Sequence, residues 1–206
     1  EIYMNSDKSL LYQIMNLLLI NNYSNRTLMI ELAKHYFFQY DDLLYFTLRI
    51  IEQLLNDIKT YNYSHVYIEN VTIDTIIHHI IDYLLLIAQY ETLWSKRKTI
   101  LFATFQEENY KITCSQLYNT KKIKKLYASL WLLLLSCNGL SMISYKEILL
   151  HMDQLILPRM TNVLLLADFL TDSFNVKYNH VKLLALNSLF ILMTKRKRLN
   201  NLSEAE

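Results

Sequence analysis

Glycine and proline are almost absent from this chain, which has one of each, Gly139 and Pro158, among its 206 residues. Sheet folds need many tight turns, and those turns favour glycine and proline because other residues fit their backbone angles poorly. A sandwich, a barrel or a doubly wound sheet is therefore disfavoured. The sequence predicts an all-α fold, with long helices joined by polar loops of Asn, Ser, Thr and Tyr.

Apolar periodicity predicts where the helices lie. Hydrophobic residues make up 52% of the chain and charged residues 19%, which is typical of a folded protein with a large core. From Ile73 to Ile87 the isoleucines and leucines recur at the 3.6-residue period of a helix. About nine helices are predicted, near residues 8–20, 26–38, 41–59, 72–90, 95–105, 121–136, 144–158, 161–174 and 180–195.

The order of these helices predicts the organisation of the chain. Consecutive helices with short links resemble an irregular α-solenoid or HEAT-like helical repeat, although no fixed period of about 34 or 40 residues recurs. We expect one helical-repeat domain over residues 1–206, with a subdivision into 1–108 and 120–206. The polar segments Thr60–Val71 and Gln106–Thr120 are predicted to be loops.

Side-chain signals mark several helix ends. Thr72 or Asp74 is predicted to cap the helix that follows, because a side-chain oxygen there can accept a hydrogen bond from a free backbone N–H. Ser144 and Glu147 have capping-box spacing and predict a helix start. Pro158 is predicted to end that helix, since proline has no N–H and clashes with the preceding turn. Gly139 suits the left-handed position after a helix.

Glycine scarcity also excludes some chemistry. The phosphate-binding motifs G-x-x-x-x-G-K-[ST] and G-x-G-x-x-G each need more than one glycine, so the common nucleotide-binding classes are excluded. The histidines form no H-E-x-x-H pattern, and Cys114 and Cys137 lack the spacing of a zinc site. We therefore predict no cofactor, no metal ion and no small-molecule substrate.

Two residue pairs at i,i+4 helical spacing remain as candidates for acid–base chemistry. His78 and Asp82 form one pair, but the polar face of an amphipathic helix explains them better. Asp168 and Asp172 form the other, and solvent or a partner's basic side chain explains that pair better. We predict that the chain is not an enzyme and has no catalytic residues.

Charge, cysteine content and hydropathy indicate the setting of the chain. A formal net charge of +2 gives no bulk signal for nucleic acid. Two cysteines do not form a disulfide framework, so a reducing compartment is the default. The apolar run Leu126–Leu135 is too short for a membrane-spanning helix, which needs about 20 residues, and no membrane association is predicted.

Two clusters of basic residues are candidate sites for RNA contact or nuclear import. For the cluster at residues 121–125, a solvated helix face is the favoured alternative. The cluster at 195–198 is four consecutive cations, and a solvated helix C-terminus, where positive charge offsets the helix dipole, explains it equally well. The clusters consist of Lys121, Lys122, Lys124 and Lys125, and of Lys195, Arg196, Lys197 and Arg198.

The stretch from Ser129 to Thr194 carries an ordered series of residues that matches a known family. In chain order the series includes Trp131, Tyr145, Pro158, Asp168, Phe169, Leu170, Thr171, Leu184, Ala185, Leu186, Asn187 and Phe190. By this order and spacing the stretch resembles the nucleolar complex protein family of ribosome-biogenesis factors, which has a CCAAT-binding-factor type domain. Within that family it is most similar to the branch called nucleolar complex protein four.

This resemblance implies a non-enzymatic scaffold of the nucleolus and nucleus. The implied role is rRNA processing in the small-subunit processome, the 90S pre-ribosome, by protein–protein interaction. The implied partners are a Nop-fourteen type protein and other nucleolar factors, with pre-rRNA as a further candidate. A generic helical-repeat adaptor in transport or signalling is the alternative.

The chain departs from the family at two places. Ser188 stands where the family usually has glycine. The family also continues into an Asn-Leu-Glu-Tyr-Pro-Asp-Phe-Tyr segment and a second helical half, whereas here Lys195–Asn201 is basic and the sequence ends at Glu206. We therefore expect this chain to correspond to the family's N-terminal part and to lack its C-terminal half.

Overall fold

The structure, a computed structural model, describes residues 10–20, 26–60, 72–90, 120–137, 140–160 and 162–203. Within these ranges the regular secondary structure is all helical, which confirms the predicted all-α class. The solenoid or HEAT-like repeat stays a prediction. The α-helices are α1 (Leu10–Ile20), α2 (Arg26–Leu32), α3 (Asp41–Lys59), α4 (Ile73–Gln89), α5 (Thr120–Leu135), α6 (Met142–His151), α7 (Ala167–Asn175) and α8 (Asn179–Ser203).

The helices fall into two compact units, Glu1–Gly139 and Leu140–Glu206. The first unit contains α1 to α5, and the second contains α6 to α8. The single domain over residues 1–206 and its subdivision into 1–108 and 120–206 stay predictions. Among the described residues, no helix combines the length and the apolar character that crossing a bilayer requires.

Most predicted helix positions agree with the structure. The helix predicted at 95–105 lies outside the described residues, as do Gly139 and the predicted loop residues 61–71 and 106–119. Thr120, which was predicted to end that second loop, is instead the first residue of α5.

Apolar stripes on α3 and α4 form the core of the first unit. The predicted stripe on α4 is confirmed from Ile76 to Ile87, but Ile73 in the first turn is 42% exposed. Helix α3 packs against α5 and α1, and α1 also packs against α4. The buried apolar residues of α3 recur at helical spacing, and they are Leu44, Leu48, Ile51, Leu54, Leu55 and Ile58.

Two tyrosines in this core have hydrogen-bond partners for their hydroxyl groups. Tyr83 on α4 donates to Oγ1 of Thr47 on α3 at 3.1 Å, and Thr47 donates to the Leu44 carbonyl at 2.9 Å. Tyr127 on α5 donates to the Leu84 carbonyl at 3.1 Å. Because a buried hydroxyl without a partner is costly, these bonds favour one packing of α3, α4 and α5.

Side-chain caps begin α4 and α6. Thr72 accepts a hydrogen bond from the Thr75 N–H at 3.2 Å, which confirms Thr72 as a cap of α4. The capping box predicted at Ser144 is wrong, because Ser144 is buried inside α6. The cap is Ser141, whose Oγ accepts from the Ser144 N–H at 3.2 Å. Its extended backbone, with a ψ of 160°, is the geometry that an N-cap needs.

Pro158 ends the helical segment that starts at α6, as predicted. After α6 the chain widens into a π-helical turn, Met152–Ile156, and then tightens into a 3₁₀ turn, Leu157–Arg159, which contains the proline. Met160 follows with an extended ψ of 135°. Because Pro158 has no N–H for the carbonyl four residues earlier, a regular α-helix cannot continue through this position.

The second unit packs α8 against α7 and α6. On the α6 segment the predicted face is buried at Ile148, Leu149, Met152 and Ile156, while Leu155 is half-buried. A 3₁₀ turn, Val163–Leu166, leads into α7. The buried stripe of α8 is narrow and made partly of small residues, namely Val181, Ala185, Ser188 and Leu192. Small side chains on this stripe let the backbones of packed helices approach closely.

Tyr83 gives the first unit a specific pH dependence. Burial raises the pKa of Tyr83 above its ordinary value of 10.0, and the Thr47 hydrogen bond offsets part of the rise. Between pH about 10 and this raised pKa, the Tyr83 hydroxyl therefore stays neutral in the folded chain, whereas it ionises in the unfolded chain. Its contribution to stability is fully present below pH about 10 and is lost as the pH rises through the raised pKa.

We expect the free energy of unfolding to fall more steeply above pH about 10 in the parent chain than in Tyr83→Phe, because phenylalanine cannot ionise. Urea denaturation followed by circular dichroism at pH values from about 7 to 11 measures this. Tyr36→Phe is the control, since Tyr36 is 57% exposed, and it should follow the parent curve. Parallel curves for the parent and Tyr83→Phe would contradict the prediction.

Ser188 is a small buried residue of α8, with 1% of its surface exposed. We expect Ser188→Leu to lower the free energy of unfolding by about 1–3 kcal/mol, because extra methylene groups there force the packed helices apart. The adjacent Asn187→Leu should change it by less than about 0.5 kcal/mol, since Asn187 is exposed. Equal decreases in the free energy of unfolding of the two variants, measured by urea denaturation, would contradict this prediction.

Candidate functional site

Helix α8 exposes apolar side chains on the side opposite its buried stripe. Leu183, Leu186, Phe190 and Met193 are 68%, 52%, 66% and 61% exposed. These four residues, which we call the α8 apolar face, follow the i, i+3, i+7, i+10 spacing of a helix seam. Single exposed apolar residues are ordinary on protein surfaces, but an aligned set marks a contact surface. The face is therefore the first candidate site.

The predicted family-motif residues divide between core and surface. Those that pack inside the second unit are Phe169, Leu170 and Ala185, and those that are half-buried are Tyr145 and Leu184. The exposed ones are Pro158, Asp168, Thr171, Leu186, Asn187 and Phe190. Their roles stay predictions, but their placement separates residues that hold the helices together from residues that a partner can reach.

Tyr145 anchors one corner of this unit. Its ring stacks on the Phe169 ring, with centroids 5.6 Å apart and planes 3° from parallel. Burial raises the pKa of Tyr145, and the negative charge of Asp172 raises it further. Asp168 and Asp172 both have exposed side chains. Asp172, predicted to be part of a carboxylate pair, thus raises the pKa of the neighbouring Tyr145.

The basic cluster of α5 occupies the first turns of that helix. Lys121, Lys122 and Lys125 are exposed and Lys124 is half-buried, while Ile123 between them is buried. The first turn of α5 contains no acidic residue. Positive charge at a helix N-terminus opposes the helix dipole, so it is unfavourable for the helix alone. A bound anion would offset this cost, which keeps the cluster as a candidate contact for RNA phosphates.

The second basic cluster lies on α8. The helix was predicted to end near Lys195, but its backbone remains helical to Ser203, so that end was predicted wrongly. Residues 195–198 therefore occupy one further turn of α8, directly after the α8 apolar face. The role of this cluster, in RNA contact, nuclear import or a solvated helix end, stays a prediction, and its backbone lies before the last turn of α8.

Asp82 has a structural partner that sequence reasoning missed. Its Oδ1 lies 3.0 Å from Nη2 of Arg26, and the Asp82 side chain is only 8% exposed. On the polar face predicted for His78 and Asp82, Asp82 is therefore buried and His78 is half-buried. The neighbouring His79 joins the same helix to α1, with its Nδ1 2.8 Å from the Leu19 carbonyl oxygen. Arg26 and Asp82 are 56 residues apart, so no local pattern connects them.

Comparison with known proteins gives relatives for part of the chain. Nucleolar complex protein 4 of Saccharomyces cerevisiae is 42% identical over 83 residues, which cover 37% of this chain and 15% of that protein. Nucleolar complex protein 4 homolog A of Xenopus laevis is 40% identical over 73 residues, 35% of this chain and 14% of that protein. The Mus musculus homolog is 34% identical over 116 residues, 50% of this chain and 22% of that protein.

These similarities confirm the resemblance to nucleolar complex protein four that the sequence predicts. The chain spans only 14% to 22% of the length of these three relatives. No family model matches the chain. The comparison with solved structures likewise gave no match.

The Arg26–Asp82 pair leads to a stability prediction. We expect Arg26→Ala to lower the free energy of unfolding by about 1–3 kcal/mol, because it leaves the buried Asp82 carboxylate without this partner. Arg49→Ala is the matched control, since the Arg49–Glu52 pair lies within one turn of α3 and its carboxylate is more exposed, 25% for Glu52 against 8% for Asp82. Arg49→Ala should lower the free energy of unfolding by less than about 0.5 kcal/mol.

Urea denaturation of both variants, of Asp82→Ala and of the double variant Arg26→Ala/Asp82→Ala measures these differences. Removing both partners should be less damaging than the sum of the single changes. Strict additivity would mean that the two side chains do not interact.

Proposed function

We propose that the chain is a non-enzymatic assembly factor of ribosome biogenesis in the nucleolus. In the finer form of the proposal, it acts in the small-subunit processome, the 90S pre-ribosome, and is required for maturation of small-subunit rRNA. The observation that carries the proposal is the similarity of part of the chain to nucleolar complex protein 4 of yeast, frog and mouse.

The physical character of the chain supports a scaffold. Both units are built from helices packed through apolar stripes, and surface function then depends on which side chains the helices leave exposed. The α8 apolar face is suited to binding a protein, since burying exposed leucine, phenylalanine and methionine is favourable without further chemistry. A Nop-fourteen type protein and other nucleolar factors are the proposed partners.

Contact with pre-rRNA is the second element of the proposal. Four lysines lie on the first turns of α5, and four consecutive cations follow the α8 apolar face. Contacts from Lys and Arg to phosphates would be independent of sequence and would weaken as salt rises. Such contacts would position the scaffold on RNA, while specificity would come from its protein partners.

Affinity purification tests the proposal. We expect the tagged full chain, expressed in Saccharomyces cerevisiae, to co-purify with small-subunit rRNA precursors and with a Nop-fourteen type protein. In the same cells, replacing Lys195, Arg196, Lys197 and Arg198 with alanine should lower the nuclear fraction of a fluorescent fusion. The matched control replaces Lys121, Lys122, Lys124 and Lys125.

Recovery of transport or signalling proteins, with no ribosomal precursor, would instead support the generic helical-repeat adaptor. Normal nuclear accumulation of the 195–198 variant would remove the import role of that cluster. Equal loss of nuclear accumulation in the 195–198 variant and the 121–125 variant would point to net charge as the cause.

A further inference from the structure

Helix α8 is apolar nearly all the way round between Val181 and Met193. Successive residues of a helix are turned by about 100°, which places Val181, Ala185, Ser188 and Leu192 on one side and the α8 apolar face on the other. A helix with this pattern is normally buried on every side. Here α7 and α6 pack against one side of α8. The α8 apolar face, on the other side, stays more than half exposed.

The formally charged residues of α8 all carry positive charge. Its 25 residues contain lysine and arginine but no aspartate or glutamate. Residue 197 follows Phe190 by seven positions and Leu183 by fourteen, so the backbone places it in register with the α8 apolar face. The four positions 195–198 together go once round the helix. Any helix laid along the α8 apolar face and extended past Met193 therefore runs beside the basic stretch 195–198.

We infer that the α8 apolar face is a docking surface for an amphipathic helix of an acidic partner protein. Leucine-like residues of the partner would cover Leu183, Leu186, Phe190 and Met193, while its glutamates or aspartates would complement the charge of α8, which has lysine and arginine but no acidic residue. This is the helix-on-helix mode of recognition, in which apolar anchors supply affinity and flanking charges select the partner. The inference rests on the proposed scaffold role, in which this face binds a protein, but a peptide-binding test of the face does not depend on the ribosomal setting.

Charge distinguishes this occupant from two others. A second copy of the chain would bring another α8 without acidic residues, so like charges would meet at whichever end the two helices overlapped. RNA would satisfy the cations but would leave three aliphatic side chains, Leu183, Leu186 and Met193, largely uncovered. Only an acidic amphipathic helix complements both the apolar seam and its charge.

A designed peptide serves as the probe. It is roughly three heptads long, with leucine at the a and d positions and glutamate at e and g, so that its own charge opposes self-association. A matched peptide has lysine at e and g and the same leucines. Fluorescence anisotropy of each labelled peptide, titrated with the full chain, measures the dissociation constant. We expect the glutamate peptide to bind at least about tenfold more tightly than the lysine peptide.

Variants locate the binding to α8. We expect Leu186→Ala/Phe190→Ala to weaken the glutamate peptide at least about tenfold, since these residues are central anchors of the face. Leu165→Ala is the matched control, because Leu165 is as exposed as Leu186 and belongs to the same unit but lies before α7. This variant should leave peptide binding unchanged. Phe190→Gln provides a second variant that keeps side-chain length while removing the ring. Circular dichroism checks that every variant stays folded.

A charge swap completes the test. Replacing all four cations of 195–198 with glutamate should reverse the preference, so that the lysine peptide binds more tightly. Three results would overturn the inference. They are equal affinity of both peptides, a dimer in sedimentation velocity that Phe190→Ala abolishes, and RNA binding that requires Phe190 without any peptide binding. The last two outcomes would assign the face to a second copy or to nucleic acid.

Discussion

Burial of one apolar stripe per helix is the interaction on which both units depend. Within the described residues the backbone polar groups are satisfied mainly inside helices, so the core there is assembled from helix faces. In the first unit, α3 and α4 provide those faces, and the hydroxyls of Tyr83 and Tyr127 find partners across them. Apolar burial drives the association, while the hydrogen bonds favour a particular packing.

Much of the helical framework could be predicted from the sequence, because helical periodicity and caps are local properties. The α4 stripe, the Thr72 cap and the stop at Pro158 follow from residues within a few positions of one another. The start of α6 was predicted one turn late, since Ser141 and Ser144 both have cap chemistry. Only their environment separates them, as Ser144 is buried and Ser141 has the extended backbone of a cap.

Long-range contacts and surface exposure were beyond sequence reasoning. Nothing near Asp82 indicates Arg26, because the pairing depends on how α2 and α4 are placed in space. Likewise, the leucines of α8 look alike in sequence, although Leu192 is buried and Leu186 is exposed. The sequence therefore predicted the candidate site as a family motif, without indicating which of its residues are exposed. The structure divides that motif into packing residues and residues open to a partner.

The exposed side of α8 affects how fast the chain is degraded in a cell. Chaperones and proteases recognise proteins through accessible apolar side chains, and free surfaces of this kind also promote aggregation. A copy of the chain with Phe190 and Leu183 uncovered is open to such recognition from the moment it leaves the ribosome. Its steady-state level would then be set by whatever covers α8, and synthesis in excess of that would be removed by turnover.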